Sequence, residues 1–245
     1  MSRIPLGVLL RALATFSLVL ATPAHAESVV VGVPATANPY LAGMPSGSTC
    51  CAGDAAPAQS PVQVTGLTLT PGSTITFSAT GGVNFQPGPI TSGPDGGSFF
   101  STASSNGISG ATWPENTLVG VFLDASQPDS TSAPASLDFS TGGGTTFATL
   151  SPALKQVFFI GDGRTGTGTG ATQAFVVPAG ATRLFLGVSD GVGWFNNVGS
   201  FSATVSAGAA PVAASTEPIP TLSLPMLIAV ALALGGIATL AIRSA

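Results

Sequence analysis

The chain has 245 residues, of which only six are basic, ten are acidic, one is histidine and two are cysteine. Between residues 27 and 217, ten carboxylates stand against three basic side chains, which gives this part a net charge of −7. Such a surface repels phosphate backbones and argues against nucleic-acid binding. It suits hard cations such as calcium better than anionic ligands.

Residues 1–26 have the features of a secretory signal peptide. A positively charged start precedes a short apolar run over residues 12–22, and Ala24-His25-Ala26 fits the small-x-small cleavage rule. The apolar run is too short for an uncleaved membrane anchor. We therefore predict export and a mature start near Glu27. Removal of His25, the only histidine, leaves none for a Ser-His-Asp or Cys-His catalytic site.

Cys50 and Cys51 are adjacent and follow a stretch, residues 34–59, that has the composition of a linker. Neighbouring Cα atoms lie about 3.8 Å apart, closer than ordinary disulfide geometry allows. A vicinal bridge, two free thiols and an intermolecular link are all compatible with this spacing. Two thiols without a mature histidine cannot complete a four-ligand zinc site.

Short runs with strand-like alternation follow, separated by turn signals. Their limits are residues 61–70, 73–85, 117–124, 155–160, 171–177, 182–189 and 200–206. No sustained helical periodicity interrupts them, and the 32 glycines and 20 prolines suit turns better than helices. We predict that residues 27–206 form one all-β domain, a jelly-roll-like β-sandwich of about eight strands. Seven phenylalanines within the runs are expected to fill its core: Phe77, Phe122, Phe158, Phe159, Phe175, Phe185 and Phe201.

A glycine pattern and a group of aspartates resemble cofactor or catalytic sites, but loops explain both better. The GxGxxG pattern at residues 161–166 follows an apolar run, but no helix opens there as a dinucleotide site requires. A flexible hairpin loop is the expected structure. Asp124, Asp129 and Asp138 lie close in sequence, yet their spacing does not single out a glycosidase pair, so we expect solvated loop acids.

The segment between the last two predicted strands contains Asp190, Asn196 and Asn197 in a glycine-rich loop. Calcium takes six to eight oxygens from carboxylates, amide side chains and backbone carbonyls. This loop offers several such oxygens within eight residues. An ordinary polar turn has the same composition and is the alternative.

The C-terminal part divides into a linker, residues 207–218, and an uncharged apolar segment followed by a single arginine. After Pro225, the apolar segment would form a helix of about 25 Å, just long enough for a thin bilayer. A buried core helix is less suitable, because the segment is apolar on all sides. We predict a transmembrane helix there.

Ile219-Pro220-Thr221-Leu222-Ser223, this helix and the terminal arginine resemble the IPTL-CTERM signal, a variant of the PEP-CTERM tails handled by exosortase-like membrane enzymes. The resemblance covers residues 219–245. It implies export to the cell envelope or outer surface, with the chain anchored by the helix or released after processing. It also implies an association with exopolysaccharide.

A second resemblance is spread over the predicted strands. The residues that carry it are Ala79-Thr80-Gly81-Gly82-Val83-Asn84-Phe85, Gly93-Pro94-Asp95-Gly96, Leu118-Val119, Pro178-Ala179, Leu184, Asp190, Asn196-Asn197 and Gly199-Ser200-Phe201. They resemble the calcium-dependent galactophilic lectins of the PA-IL type, in which calcium bridges the protein and two sugar hydroxyls. The resemblance implies side-chain ligands at Asp190, Asn196 and Asn197, and a backbone carbonyl ligand at Phe85.

The chain departs from these lectins in two places. The loop after Asp190 is one residue shorter, which leaves Gly193 and Trp194 as candidates for a further carbonyl ligand. Residues 97–110 contain neither the His nor the Gln with which the lectins hold galactose. Galactose preference therefore does not transfer, although Trp194 and Trp113 offer faces on which a sugar could stack if they are exposed.

These observations predict a non-enzymatic, calcium-dependent carbohydrate-binding domain that recognises exopolysaccharide or surface glycans. A structural or adhesive matrix protein without sugar binding is the alternative. A polysaccharide hydrolase is a third, less supported interpretation.

Overall fold

Buried and exposed residues alternate along the longest strands, so each of these strands turns one face inward. In a computed structural model, which describes residues 27–208, every long element is a strand. The strands are β1 (Glu27–Pro34), β2 (Thr49–Cys50), β3 (Asp54–Ala55), β4 (Val62–Gln63), β5 (Thr74–Asn84), β6 (Phe99–Thr102), β7 (Ala111–Pro114), β8 (Leu118–Leu123), β9 (Leu137–Asp138), β10 (Thr149–Leu150), β11 (Val157–Phe159), β12 (Arg164–Gly166), β13 (Thr169–Thr172), β14 (Ala174–Val176), β15 (Arg183–Val188) and β16 (Val198–Ala207).

Short 3-10 turns occur at Pro39–Leu41, Pro128–Ser130 and Trp194–Asn196. Within residues 27–208 there is no α-helix, and no helix there is long and apolar enough to cross a membrane. The predicted signal peptide and sorting tail, with most of the linker before the tail, lie outside the described residues.

Two sheets contain most of the strands. A five-stranded sheet has the order β1-β16-β5-β14-β10, and a four-stranded sheet has the order β11-β8-β15-β4. A third sheet, β6-β7-β9, and two hairpins, β2-β3 and β12-β13, complete the fold. The β12-β13 hairpin occupies the position of the GxGxxG pattern, as predicted.

Aromatic side chains join the two main sheets. The ring of Phe158 on β11 lies 5.5 Å from that of Phe175 on β14, and Phe77 on β5 lies 5.0 Å from Phe175. Phe158 also stacks on Phe122 at 5.3 Å. All seven predicted core phenylalanines are buried, which confirms their assignment.

The four-stranded sheet is covered on both faces, since every residue of β8 is buried. The backbone of residues 35–42 lies against β15, where the Val188 N–H donates to the Ala37 carbonyl at 2.9 Å. Tyr40 and Leu41 in this segment are each 1% exposed. Residues 34–59 are therefore an integral layer of the domain, and their interpretation as a linker was wrong.

The structure joins Cys50 and Cys51 in a vicinal disulfide, at the turn between β2 and β3. It also adds a strand that the sequence did not predict. β1 pairs with β16 along its whole length, from Glu27 opposite Ala207 to Pro34 opposite Ser200. Because Ala207 takes part in this pairing, the last strand ends one residue beyond the predicted domain limit.

The aromatic contact between the sheets makes a testable prediction. Phe158→Ala should lower the free energy of unfolding by about 3–5 kcal/mol, because it removes a fully buried ring and leaves a cavity between the sheets. Urea unfolding of the protein measures this loss. Phe99→Ala is the matched control, since Phe99 is 48% exposed, and it should lose less than half as much; equal losses would contradict this account of the core.

Candidate functional site

Four chain segments meet at one end of the two main sheets. β15 ends at Val188 opposite Leu118, the first residue of β8, and β16 begins at Val198 opposite Asn84, the last residue of β5. The loop of residues 189–197, here called the 190 loop, therefore lies between the turn before β8 and the segment that follows β5. These are the positions of the predicted ligands.

Trp194 fixes the second half of the 190 loop. Its ring is fully buried, and its Nε1–H donates to the Val188 carbonyl at 2.7 Å. Gly193, just before it, has a φ of 79°, a left-handed conformation that favours glycine. The Asn196 and Asn197 N–H groups then donate to the carbonyls of Gly193 and Trp194, each at 3.1 Å. The loop is thus wound around a core tryptophan.

Asp54 stabilises the same turn through hydrogen bonds to its backbone. Its carboxylate is fully buried and accepts hydrogen bonds from the Trp194 N–H at 3.1 Å, the Phe195 N–H at 2.9 Å and the Asn38 side chain at 3.3 Å. Burial raises the pKa of Asp54, and these hydrogen bonds oppose that rise. The Cys51 carbonyl, at the disulfide, accepts from the Gly193 N–H at 3.3 Å.

Three side-chain oxygens of the 190 loop are buried without a hydrogen-bond partner among the described residues. They are Oδ2 of Asp190, Oδ1 of Asn196 and Oδ1 of Asn197. Asp190 is 3% exposed and Asn197 is 7% exposed. A buried polar atom without a partner costs about 1–3 kcal/mol, so three in one loop are unusual. Each is an electron-pair donor, the kind of atom that coordinates a cation.

In two of these side chains, the other polar atom has a hydrogen-bond partner of its own. Asn197 uses its Nδ2 to donate to the Ala35 carbonyl at 3.2 Å, which directs its Oδ1 away from that carbonyl. Asp190 uses Oδ1 to accept from the Gly191 N–H at 2.5 Å. The side chains of Asp190 and Asn197 are neighbours, since the Asn197 amide lowers the pKa of Asp190.

Asn116 is a fourth residue of the same kind, and sequence reasoning missed it. It is 3% exposed, its Oδ1 is buried without a partner in the described part of the chain, and its Nδ2 donates to Ser92 Oγ at 3.3 Å. Its N–H donates to the Ser189 carbonyl at 3.1 Å, which places it beside the start of the 190 loop. Asn116 could have been found only from the strand pairing, because the pairing of β8 with β15 sets the residues before β8 alongside the residues after β15.

The pKa of Asp190 is raised from 3.8 to about 6, chiefly by burial. The negative charge of Glu115 raises it further, whereas contacts with Asn197 and with the N–H groups of Gly191 and Val192 lower it. No basic residue contributes to these interactions. The environment of Asp190 therefore disfavours its charged form unless a cation compensates.

Phe85 is half-buried and follows directly after β5. β5 pairs with β16 up to Asn84 opposite Val198, so Phe85 and Asn197 are the first residues beyond the paired ends of the two strands. The structure thus places all four predicted ligand residues at the same end of the sheets. The assignment of their oxygens to one ion stays a prediction.

The donor set fits calcium better than a transition metal. Among residues 27–208 no three side chains of the His, Cys, Asp and Glu types gather as a metal-binding group. A set of one carboxylate with amide and backbone carbonyl oxygens does not need such a group, and hard cations accept these oxygens. A single carboxylate in the set also predicts weak binding.

The two tryptophans and the three loop aspartates have structural roles. Trp113 and Trp194 are fully buried, so neither offers a face for sugar stacking. Asp124, Asp129 and Asp138 each accept a hydrogen bond from a residue two positions further or two positions back in sequence. They serve local turns, as expected of loop acids.

Comparisons with protein-family models, curated proteins and solved structures find no match to this chain.

Removal of the Asp54 carboxylate should disorganise the 190 loop. In Asp54→Ala the N–H groups of Trp194 and Phe195 lose their acceptor, so we expect a loss of at least about 2 kcal/mol in the free energy of unfolding. Urea unfolding measures it. Asp129→Ala removes an exposed carboxylate and is the control; a similar, small loss in both variants would argue against the support of the loop by Asp54.

The raised pKa of Asp190 predicts a pH dependence of stability in calcium-free buffer. Between about pH 4 and 6 the folded state holds a proton that the unfolded chain has released, so the free energy of unfolding should fall as the pH rises through this window. Asp190→Asn should lack this contribution. Urea unfolding in chelator should show that the free energy of unfolding of the variant rises relative to that of the unaltered protein between pH 4 and 7. A difference in free energy of unfolding that stays constant over this range would contradict the prediction.

Proposed function

We propose that this protein is an exported, non-enzymatic carbohydrate-binding protein that holds sugars through a calcium ion at the 190 loop. The observation that carries the proposal is the set of buried, unpartnered oxygens of Asp190, Asn196 and Asn197 in one loop. Asp190, Asn196 and Asn197 would be side-chain ligands, and Phe85 would contribute its carbonyl oxygen. Asn116, whose Oδ1 is also buried without a partner in the described part of the chain and whose N–H donates to the Ser189 carbonyl, is a further candidate for the same set.

The chemistry of the proposal follows from the number of oxygens that calcium accepts. Calcium takes six to eight, and the named residues supply four or five. Two vicinal hydroxyls of a sugar would complete the shell, and their exchange for water would make sugar binding depend on the ion. The residues of the chain hold the ion and orient it toward solvent, and no bond in the sugar is broken.

Two exposed apolar side chains of the 190 loop support a sugar as the ligand. Val192 is 63% exposed and Phe195 is 56% exposed, although both are apolar, and both belong to the loop that carries the unpartnered oxygens. The apolar face of a pyranose ring packs well on such side chains. Phe195 thus takes the role that the sequence had suggested for Trp194 and Trp113.

The fold and the ends of the chain enter the same proposal. The two main sheets are compatible with the jelly-roll-like sandwich of the PA-IL lectins, whose residue pattern the chain resembles. The resemblance of residues 219–245 to an IPTL-CTERM tail favours processing by an exosortase-like enzyme and a location in the cell envelope or on the outer surface. Exopolysaccharide or surface glycans are then the expected targets.

One observation favours the alternative of a structural or adhesive matrix protein. Residues 97–110 contain neither of the side chains that hold galactose in the lectins. If the protein binds calcium but no glycan on an array at millimolar calcium, the ion has a structural role and this alternative is correct.

Calcium titration tests the proposal. Isothermal titration of the purified full-length chain should give a dissociation constant on the order of 10⁻⁴ to 10⁻³ M, because only one carboxylate serves the ion. In 10 mM calcium this affinity would stabilise the fold by about 1.4–2.7 kcal/mol. Asp190→Asn keeps the shape of the side chain and should abolish both effects.

Asp129→Asn is the matched control, since it removes one exposed carboxylate elsewhere and should bind calcium as the unaltered protein does. If Asp190→Asn bound calcium with unchanged affinity, the ion would lie elsewhere and the proposal would be wrong.

A further inference from the structure

A groove of about 380 Å³ lies directly beside the 190 loop. It is lined by Gly191 and Val192, by Cys51 of the vicinal disulfide, by residues 101–105 and by Tyr40. We call it the side groove. Since successive Cα atoms are about 3.8 Å apart, Val192 lies within about 8 Å of Asp190 along the chain. The side groove therefore borders the first half of the loop that carries the candidate calcium ligands.

The lining of the side groove is uncharged and rich in hydroxyl groups. Residues 101–105 have the sequence Ser-Thr-Ala-Ser-Ser, and no Asp, Glu, Lys or Arg is among the lining residues. Ser101 and Ser104 are exposed. The disulfide and Val192 add apolar surface. Hydroxyl groups beside apolar patches match a neutral polyhydroxylated ligand.

We propose that the side groove binds a second sugar unit, so that the domain recognises a neutral disaccharide or longer glycan and not a single monosaccharide. This inference rests on the proposed function, because the first unit would be held on calcium at the 190 loop. The second unit would exchange hydrogen bonds with Ser101 and Ser104 and pack its apolar face on Val192 and the disulfide.

Size and charge both favour this occupant. Small-molecule sites usually have volumes of about 300–1,000 Å³, and the side groove falls within that range. An anionic unit such as a uronate would find no cationic partner in the groove. Neutral glycans are therefore the expected class.

The experiment compares chain lengths within neutral sugar series. The purified full-length chain, kept in a detergent without a sugar headgroup, is titrated at 10 mM calcium with glucose, galactose and mannose and with their di- and tetrasaccharides. In at least one series the disaccharide should bind about tenfold more tightly than the monosaccharide. The corresponding uronate oligosaccharide should show no such gain.

Two variants locate the gain. Ser104→Trp fills the side groove from an exposed position and should remove the tenfold gain, while calcium and monosaccharide affinities stay unchanged. Ser136→Trp, at an exposed serine outside the groove, is the matched control and should keep the gain. Unchanged calcium affinity in both variants verifies that they are folded.

The failures of the two proposals differ in outcome. A gain that survives Ser104→Trp, or calcium binding with no length-dependent gain in any series, would overturn the second sugar unit and leave the calcium site intact. Absence of calcium binding in the unaltered protein would overturn both.

Discussion

The buried carboxylate of Asp54 is the interaction on which the functional end of the molecule depends. It accepts hydrogen bonds from two consecutive N–H groups of the 190 loop and from Asn38, so it ties the N-terminal layer to the last interstrand connection. A fully buried carboxylate is costly unless several donors surround it. Three donors and the adjacent burial of Trp194 offset that cost and fix the direction of the loop. The free oxygens of Asn196 and Asn197 follow directly after this fixed turn.

The sequence predicted those parts of the fold in which alternation or a continuous apolar run is strong. β5 lies within a predicted run and β16 contains one, and in both a period of two shows which face is buried. β8 and β15 lie within predicted runs that are apolar almost throughout, as strands buried on both faces are. The phenylalanines within the runs were identified as core for the same reason. The predicted run over residues 61–70 is a counterexample, since only Val62–Gln63 pairs there.

Residues 34–59 could not be predicted from local pattern. They are rich in Ala, Pro and Gly and have only three large apolar side chains, Tyr40, Leu41 and Met44, so they have the composition of an exposed linker. Their burial depends on contacts that are distant in sequence, such as that of Tyr40 with Trp194, whose ring centroids are 6.0 Å apart. The same holds for Asn116, whose proximity to Asp190 arises from the antiparallel pairing of β8 and β15. The Asp-Asn-Asn loop itself was visible, because its candidate ligands lie within eight residues.

The pairing of β1 with β16 determines where the chain enters and leaves this domain. Glu27 lies opposite Ala207, whereas the 190 loop meets the other end of β16 at Val198. Ten strand residues span about 33 Å, so both ends of the described chain emerge at the pole remote from the loop. Any segment attached before Glu27 or after residue 208 therefore starts a full strand length away from the candidate ligands.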